Sequence, residues 1–423
     1  MFLKFNCFFG YFVYNNNVVE KSLALHGLQK WIDVHCYRME FVMNLIYLDN
    51  SATTKPSPSA VRSVMKGFEE CFGNPSSGHF VGVSAAKELA AAREMVAKAM
   101  KVTSNTVFFT SGGTLADNIA VFGGARAGVG MHVVTSSVEH PAILNSVRTL
   151  EDNGFRVSYV KPDHEGVITA GAVAKELRGE TSLVSIMHVN NETGAVMPIR
   201  EIAEEIKKKC PRAFFHTDAV QSFGKIPFEP LKMGVDMASV SSHKVHGPKG
   251  AGALYVKQGV SLNPFLRGGG QERGLVSGTE NLPAIMGFAA ACGELSDIDI
   301  TEVTELSSLF KKEILGIEGV TINSPENASP YILNVSFGEI PSEVILNALS
   351  TEGICVSAGS ACAASKGGKS YVLKEMGVKY TDSAIRISFS RTNTKDEILA
   401  AAAALKRIIP MLSSAVKGYR RDS

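Results

Sequence analysis

The sequence predicts an α/β fold: a large domain on a mainly parallel seven-stranded sheet, followed by a smaller α+β domain. Three observations carry this. Seven short apolar runs, mostly β-branched or aromatic, fall at Val107–Thr110, Met131–Thr135, Val157–Val160, Leu183–Val189, Ala213–His216, Met237–Val240 and Ala251–Val256. Helical patterns separate several of them, at about 113–128, 140–152, 170–178 and 200–209, and such alternation covers a parallel sheet on both faces. After Ala291 the rhythm changes to helices at about 281–295 and 301–316, strands near 319–323 and 331–337, a helix at 342–351, a strand at 384–390 and a terminal helix at 395–412.

The elements before the first sheet strand are read as follows. Residues 1–42 are aromatic-rich, lack an amphipathic period and precede Met43, a natural start, so they read as an upstream start-site artefact or a poorly ordered appendage. Leu45-Ile46-Tyr47-Leu48 is a strand, followed by the polar turn 49–54, and this strand is expected to join the C-terminal part in space. A helix from about Ser59 to Cys71, a turn-rich loop over 72–79 and an Ala-rich helix over 84–100 come next. The division expected is an extension at 1–42, a large domain at 58–297, and a small domain from 43–57 together with 298–423.

Composition narrows the function. With 43 Lys+Arg against 41 Asp+Glu, the formal charge is +2, and nothing electrostatic points to nucleic acid or to an anionic membrane surface. Seven cysteines without a C-x-x-C pair argue against a disulfide framework and against a zinc site, and suggest a reducing, cytoplasmic setting. No run approaches the roughly 20 apolar residues of a spanning helix.

The chemistry-bearing residues collect at strand ends, where ligands of open α/β sheets bind. Thr110-Ser111-Gly112-Gly113-Thr114 closes a strand and opens a helix, a competent phosphate cradle, although a plain Gly-rich turn reads the same way. His140 offers an imidazole for stacking or proton movement, Asn191 an amide, and Asp218 a carboxylate able to hold a protonated ring nitrogen. Each also has a structural reading as a core or turn residue. The next strand ends in Ser241-Ser242-His243-Lys244 before a Gly-Pro turn, which places an amine beside hydroxyl and imidazole groups. An anion site, a ring-stacking group, an acid for a pyridine nitrogen and an amine are together what pyridoxal phosphate requires. Downstream, Thr279 lies in a glycine-rich loop within reach of a phosphate. Arg386 presents a fork suited to a carboxylate or to a structural salt bridge. Cys362, set among Gly, Ser and Ala, reads as an exposed thiol, whereas Cys355, between Ile354 and Val356, reads as buried.

The motifs YLDNSATT, MHVNNETG, HTDAVQS, SSHKVHGPKG, GGGQERG and SAGSACAAS stand in that order. On them the chain from about Leu45 onward resembles the cysteine desulfurases of the NifS/IscS type, in the class V aminotransferase branch of fold-type I pyridoxal-phosphate enzymes. The resemblance implies that Lys244 is the Schiff-base lysine and proton shuttle, His140 the stacking histidine, Asp218 the partner of the pyridine nitrogen and Gln221 a contact of the phenolic oxygen. It implies phosphate binding by Gly113, Thr114, Ser241 and His243, joined by Thr279 from a second subunit of a homodimer, with Ser242 also among the cofactor-binding residues. Asn191 and Arg386 would grip the carboxylate of L-cysteine, with Asn191 also close to the cofactor. Cys362 would take the sulfur as a persulfide and deliver it to an acceptor protein for iron–sulfur cluster assembly or tRNA thiolation. Leu115 and Val276 depart from the family pattern, which commonly has glutamate and arginine there. A class V aminotransferase, a selenocysteine lyase and a non-catalytic sulfur-carrier scaffold are the competing readings.

Overall fold

The structure, a computed structural model, describes residues 45–126, 128–264, 266–295, 299–359 and 370–419. The expectations for residues 1–42 and for Cys362 lie outside these residues. In chain order the elements are β1 (Ile46–Tyr47), α1 (Pro58–Glu69), α2 (Phe80–Ala99), β2 (Val107–Thr110), α3 (Gly113–Gly124), β3 (His132–Ser136), α4 (Pro141–Asp152) and β4 (Arg156–Val160). Then come α5 (Ala170–Glu176), β5 (Thr181–Ser185), α6 (Ile199–Lys209), β6 (Phe214–Asp218), α7 (Pro230–Met233), β7 (Met237–Ser241), β8 (Gly252–Val256) and α8 (Leu282–Gly293). The remainder is α9 (Thr301–Ile314), β9 (Val320–Ile322), β10 (Ile332–Phe337), α10 (Ser342–Thr351), β11 (Ile354–Cys355), α11 (Tyr371–Glu375), β12 (Ile385–Ser388) and α12 (Lys395–Tyr419).

Seven strands form one sheet in the order β2-β8-β7-β6-β5-β3-β4, parallel throughout except for β8, which runs antiparallel to both neighbours. The strands bury both faces, one cluster gathering Phe109, Phe215, Phe223 and Tyr255 and another Ile119, Ile143, Leu183 and Met237. Full burial of each such side chain stabilises the fold by about 1.5–3 kcal/mol. Register does the positioning. Gly252 of β8 pairs with Thr110 on one side and Ser241 on the other, so the β2–α3 turn and the end of β7 meet at one edge of the sheet. A Cβ at Gly252 would lie 2.7 Å from the Val240 carbonyl oxygen and 2.8 Å from the Gly112 Cα, so only glycine permits this approach.

The C-terminal part has its own apolar cluster, including Phe310, Leu333, Phe337, Ile385 and Leu405, and a three-stranded antiparallel sheet, β12-β10-β9. β1 joins it as expected: Ile46 and Tyr47 pair in parallel with Ile354 and Cys355, and Asp49 bridges to Ser388.

Several boundaries move for identifiable reasons. α2 begins at Phe80 rather than 84 because the Nδ1 of His79 accepts from the Gly82 N–H and caps the helix. β5 ends at Ser185 although the apolar run continues to Val189. Beyond it the Ile186 and His188 N–H groups still donate to the His216 and Asp218 carbonyls, so the segment stays extended toward the sheet's carboxyl end. Cys355 is half-buried rather than buried, because β11 is the edge of a two-stranded pair. Among the described residues no helix is long and apolar enough to cross a membrane.

Candidate active site

The β2–α3 turn builds the first wall. Gly112 takes φ 153°, and a Cβ on Gly113 would fall 2.7 Å from the Val220 Cγ2, so both glycines are required by space or backbone. Gly112 supplies no capping side chain, which leaves the first-turn N–H groups of α3 for a ligand. The buried Ser241 Oγ, across from Gly112, has no hydrogen-bond partner.

Other strand ends supply the remaining walls of one cavity of about 260 Å³. Ser51, Ala52, Gly113, Thr114, Asp117, His140, Asn191, Asp218, Gln221, Ser241, His243, Lys244 and Arg386 line it. The fold thus brings ten of the expected residues together. A shallower depression next to it shares Thr114 and His140 but contains neither an amine nor a carboxylate.

The amine is held by the turn after β1. Lys244 Nζ donates to the Ser51 carbonyl at 2.5 Å and to the Ala52 carbonyl at 2.9 Å. Thr54 straps the same segment, its hydroxyl donating to the His243 carbonyl while its oxygen accepts from the His246 N–H. His140 caps α4, with Nδ1 accepting from the Ala142 N–H at 3.1 Å, so any proton on the neutral ring sits on Nε2. Burial, and then the nearby Lys244 charge, lower its pKa to about 4. His243 is likewise lowered to about 4, chiefly by burial, and its Nδ1 lies 3.2 Å from the Thr53 hydroxyl.

Two carboxyl groups face the cavity. Asp218 accepts from the Val220 N–H at 2.9 Å, and burial raises its pKa to about 6. Asp117 is fully buried, and burial followed by the Asp218 charge pushes it well above the usual carboxylate range. The neighbouring Ser239 hydroxyl, already engaged by His216, pulls the other way. Arg386 is 2% exposed and forms the salt bridge that one of its two readings expects. It donates to Asp49 at 3.0 Å and to the Asn191 carbonyl at 2.8 Å, and its Nε, like the Asn191 Oδ1, is buried without a hydrogen-bond partner.

Two expected residues stand elsewhere. Ser242 is buried under the turn, where a Cβ on Gly247 would lie 2.1 Å from its Oγ, so it does not line the cavity. Thr279 is exposed and does not line the cavity of its own chain. Leu115 and Val276 are also absent from the lining, and both pack against the same apolar cluster on one face of the sheet. The sequence reading missed Asp117, one helical turn after Thr114, and the carbonyls of Ser51 and Ala52, whose role no side-chain pattern announces.

The profile of the family described as "Aminotransferase class-V" matches residues 46–400. A cysteine desulfurase from Nostoc sp. is 39% identical over 388 residues, 90% of this chain and 96% of that protein. Cysteine desulfurase IscS of Clostridium botulinum is 40% identical over 376 residues, 86% of this chain and 94% of that one. Among solved structures, a NifS-like protein superposes with a TM-score of 0.81 at 36% identity, covering 87% of this chain and all of that one. SspA in complex with cysteine gives 0.73 at 34% identity, over 81% and 98% of the two chains. With a family match across most of its length and relatives near 40% identity, the chain belongs to the class V aminotransferase family, among the cysteine desulfurases.

Proposed function

We propose that this chain is a pyridoxal-phosphate-dependent cysteine desulfurase that converts L-cysteine to L-alanine and takes the sulfur onto Cys362. One observation carries the reading: an anion cradle, an imidazole, a carboxylate, an amine and a guanidinium converge on one cavity. Unpaired buried groups make the residues fit the cofactor. The Ser241 Oγ and the open N–H groups of α3 suit a phosphate, and the unpartnered Asn191 Oδ1 suits a donor on the bound molecule.

When bound, the cofactor supplies an electron sink for the carbanion formed next to the substrate's amino group. His140, neutral above about pH 4, presents a ring that can stack without adding charge. Asp218, ionised above about pH 6, can hold a proton on a ring nitrogen. Lys244 holds the cofactor and then moves the α-proton from its place beside the Ser51 carbonyl. Arg386 and Asn191 hold the substrate carboxylate, and Asp49 keeps the guanidinium in place. The Cys362 thiolate attacks the substrate sulfur: an S–S bond forms, the Cβ–S bond breaks, and the carbon keeps the bonding pair and takes a proton. The four described cysteines do not compete for this step, since burial pushes the thiols of Cys71, Cys210, Cys292 and Cys355 upward.

A homodimer completes the site in this reading, with Thr279 reaching the partner's phosphate cradle. The exposure of Thr279 supports it, as do the exposed Val61, Met65, Phe68, Phe72 and Phe80 on and beside α1 and α2. The sulfur passes to an iron–sulfur scaffold or a tRNA-thiolation partner in the cytoplasm. The separate apolar clusters support a large domain at 58–297 and a small one from 43–57 and 298–423. Mass spectrometry after incubation with L-cysteine tests the central step. One added sulfur on Cys362 is expected, with alanine released. Alanine and sulfide at wild-type rates from Cys362→Ser would refute it, and a requirement for a keto-acid acceptor would favour an aminotransferase.

A further inference from the structure

Thr279 stands on a loop that is fastened to the rim of the sheet. β2 is an edge strand, and side chains from outside the sheet cover its open edge. The Phe109 N–H donates to Glu272 Oε2 at 2.8 Å, and the Val107 carbonyl accepts from Arg93 Nη1 and Arg273 Nη2 at 3.0 Å each. Arg93 also grips both oxygens of Glu272 at 2.6 Å, a bidentate pair in which the Glu272 side chain is 2% exposed. The loop that carries Thr279 is thereby tied to the strand that leads into the phosphate cradle, while Thr279 itself is exposed and outside its own chain's cavity.

The fastening has a conformational cost. Glu272 and Arg273 take φ 47° and 56°, left-handed backbone that a residue with a Cβ seldom adopts and that surrounding contacts must hold in place. Directly before them, Gln271 reaches across the loop, and its Oε1 accepts from the Gly278 N–H at 2.9 Å. A backbone N–H can only donate, so the amide oxygen must be the atom that faces Gly278. The two legs of the loop meet again where a Cβ on Gly268 would fall 2.9 Å from the Ser277 Cβ. A continuous tie therefore runs from the edge of β2 through Glu272 and Gln271 to Gly278, the residue before Thr279.

We propose that Gln271 is a positioning residue that acts in trans: by holding Gly278 it sets Thr279 for the phosphate of the cofactor bound in a second copy of the chain. This rests on the reading of Thr279 as a phosphate contact across a homodimer. The test is an equilibrium titration of the full-length protein with pyridoxal phosphate. Gln271→Ala is expected to weaken binding about tenfold, and Gln271→Met, which keeps the length of the side chain but not the oxygen, to match it. Pyridoxal, which lacks the phosphate, is expected to bind both variants and wild type alike. Heterodimers isolated through two different tags then assign the direction. With Gln271→Ala in one subunit and Lys244→Ala in the other, the site that keeps Lys244 receives an intact loop and is expected to bind as in wild type. With both changes in one subunit, the site that keeps Lys244 receives the altered loop and is expected to bind about tenfold more weakly. The two heterodimers carry the same two substitutions, so a general loss of stability moves both equally. The opposite order, or equal affinities in both, overturns the role of Gln271. Thr279→Ala in place of Gln271→Ala separates the two claims. If it follows the trans pattern while Gln271→Ala does not, only this inference falls. If it shows no trans pattern, or the chain elutes as a monomer, the reading of Thr279 falls and this inference with it.

Discussion

Two buried polar regions of the molecule can be set side by side. Within the strands, His132 places Nδ1 2.8 Å from the Thr181 hydroxyl and Nε2 3.2 Å from the Ser158 hydroxyl. His216 sits between the Ser185 and Ser239 hydroxyls at 2.9 Å each. Every ring nitrogen there has a partner from the chain itself. Around the cavity, Ser241 Oγ at the end of β7, Asn191 Oδ1 in the loop after β5 and Arg386 Nε on β12 of the smaller sheet are as deeply buried and have none. Leaving a buried polar atom unpaired costs about 1–3 kcal/mol, so the two paired histidines are architecture, while the unpaired atoms on residues that line the cavity form a mould for groups that arrive with a ligand.

The largest test of this contrast removes the centre of the mould. Lys244→Ala is expected to lower alanine formation from L-cysteine about a thousandfold while the melting temperature stays within a few degrees of wild type. A comparable loss of stability would mean that the lysine is architecture too.

A second test concerns a satisfied group that titrates. Glu139 accepts from the Ser136 hydroxyl and the Met187 N–H, yet burial raises its pKa to about 8. A raised carboxyl contributes stability that is fully present below its unfolded value near 4.5 and is lost as pH rises through about 8. Glu139→Gln lacks that dependence. Urea unfolding of the two proteins should therefore show the variant gaining on wild type by roughly 2–3 kcal/mol between pH 5 and pH 8. A gap that stays constant with pH would show that Glu139 does not change protonation in that range.

The smallest effect gives the sharpest contrast, since it compares two serines on one strand. Ser239→Ala strands a nitrogen of His216 and is expected to cost about 1–2 kcal/mol of stability with little change in cofactor affinity. Ser241→Ala strands nothing in the protein. It is expected to keep full stability and to weaken cofactor binding about tenfold in an equilibrium titration. Equal stability losses in both variants would erase the distinction between the two regions.

The sequence by itself determined the fold class, the strands of the sheet and the order of chemical groups along it. Strand periodicity and turn residues are local signals, and β6 and β7 deliver Asp218 and Ser241 to the sheet's end whatever else the chain does. It misplaced Ser242, because a change of direction of one residue decides whether a serine beside Lys244 faces the cavity or the turn beneath Gly247. Only the tertiary structure decided which carbonyl holds the amine, since Ser51 lies 193 residues before Lys244. It also decided that Asp117 faces the cavity with Asp218 and that Arg386 is ion-paired to Asp49. Those contacts depend on the register of β8 between β2 and β7 and on the parallel pairing of β1 with β11. That register is set by which apolar faces and turns of distant segments pack together, so neither segment alone specifies its partner.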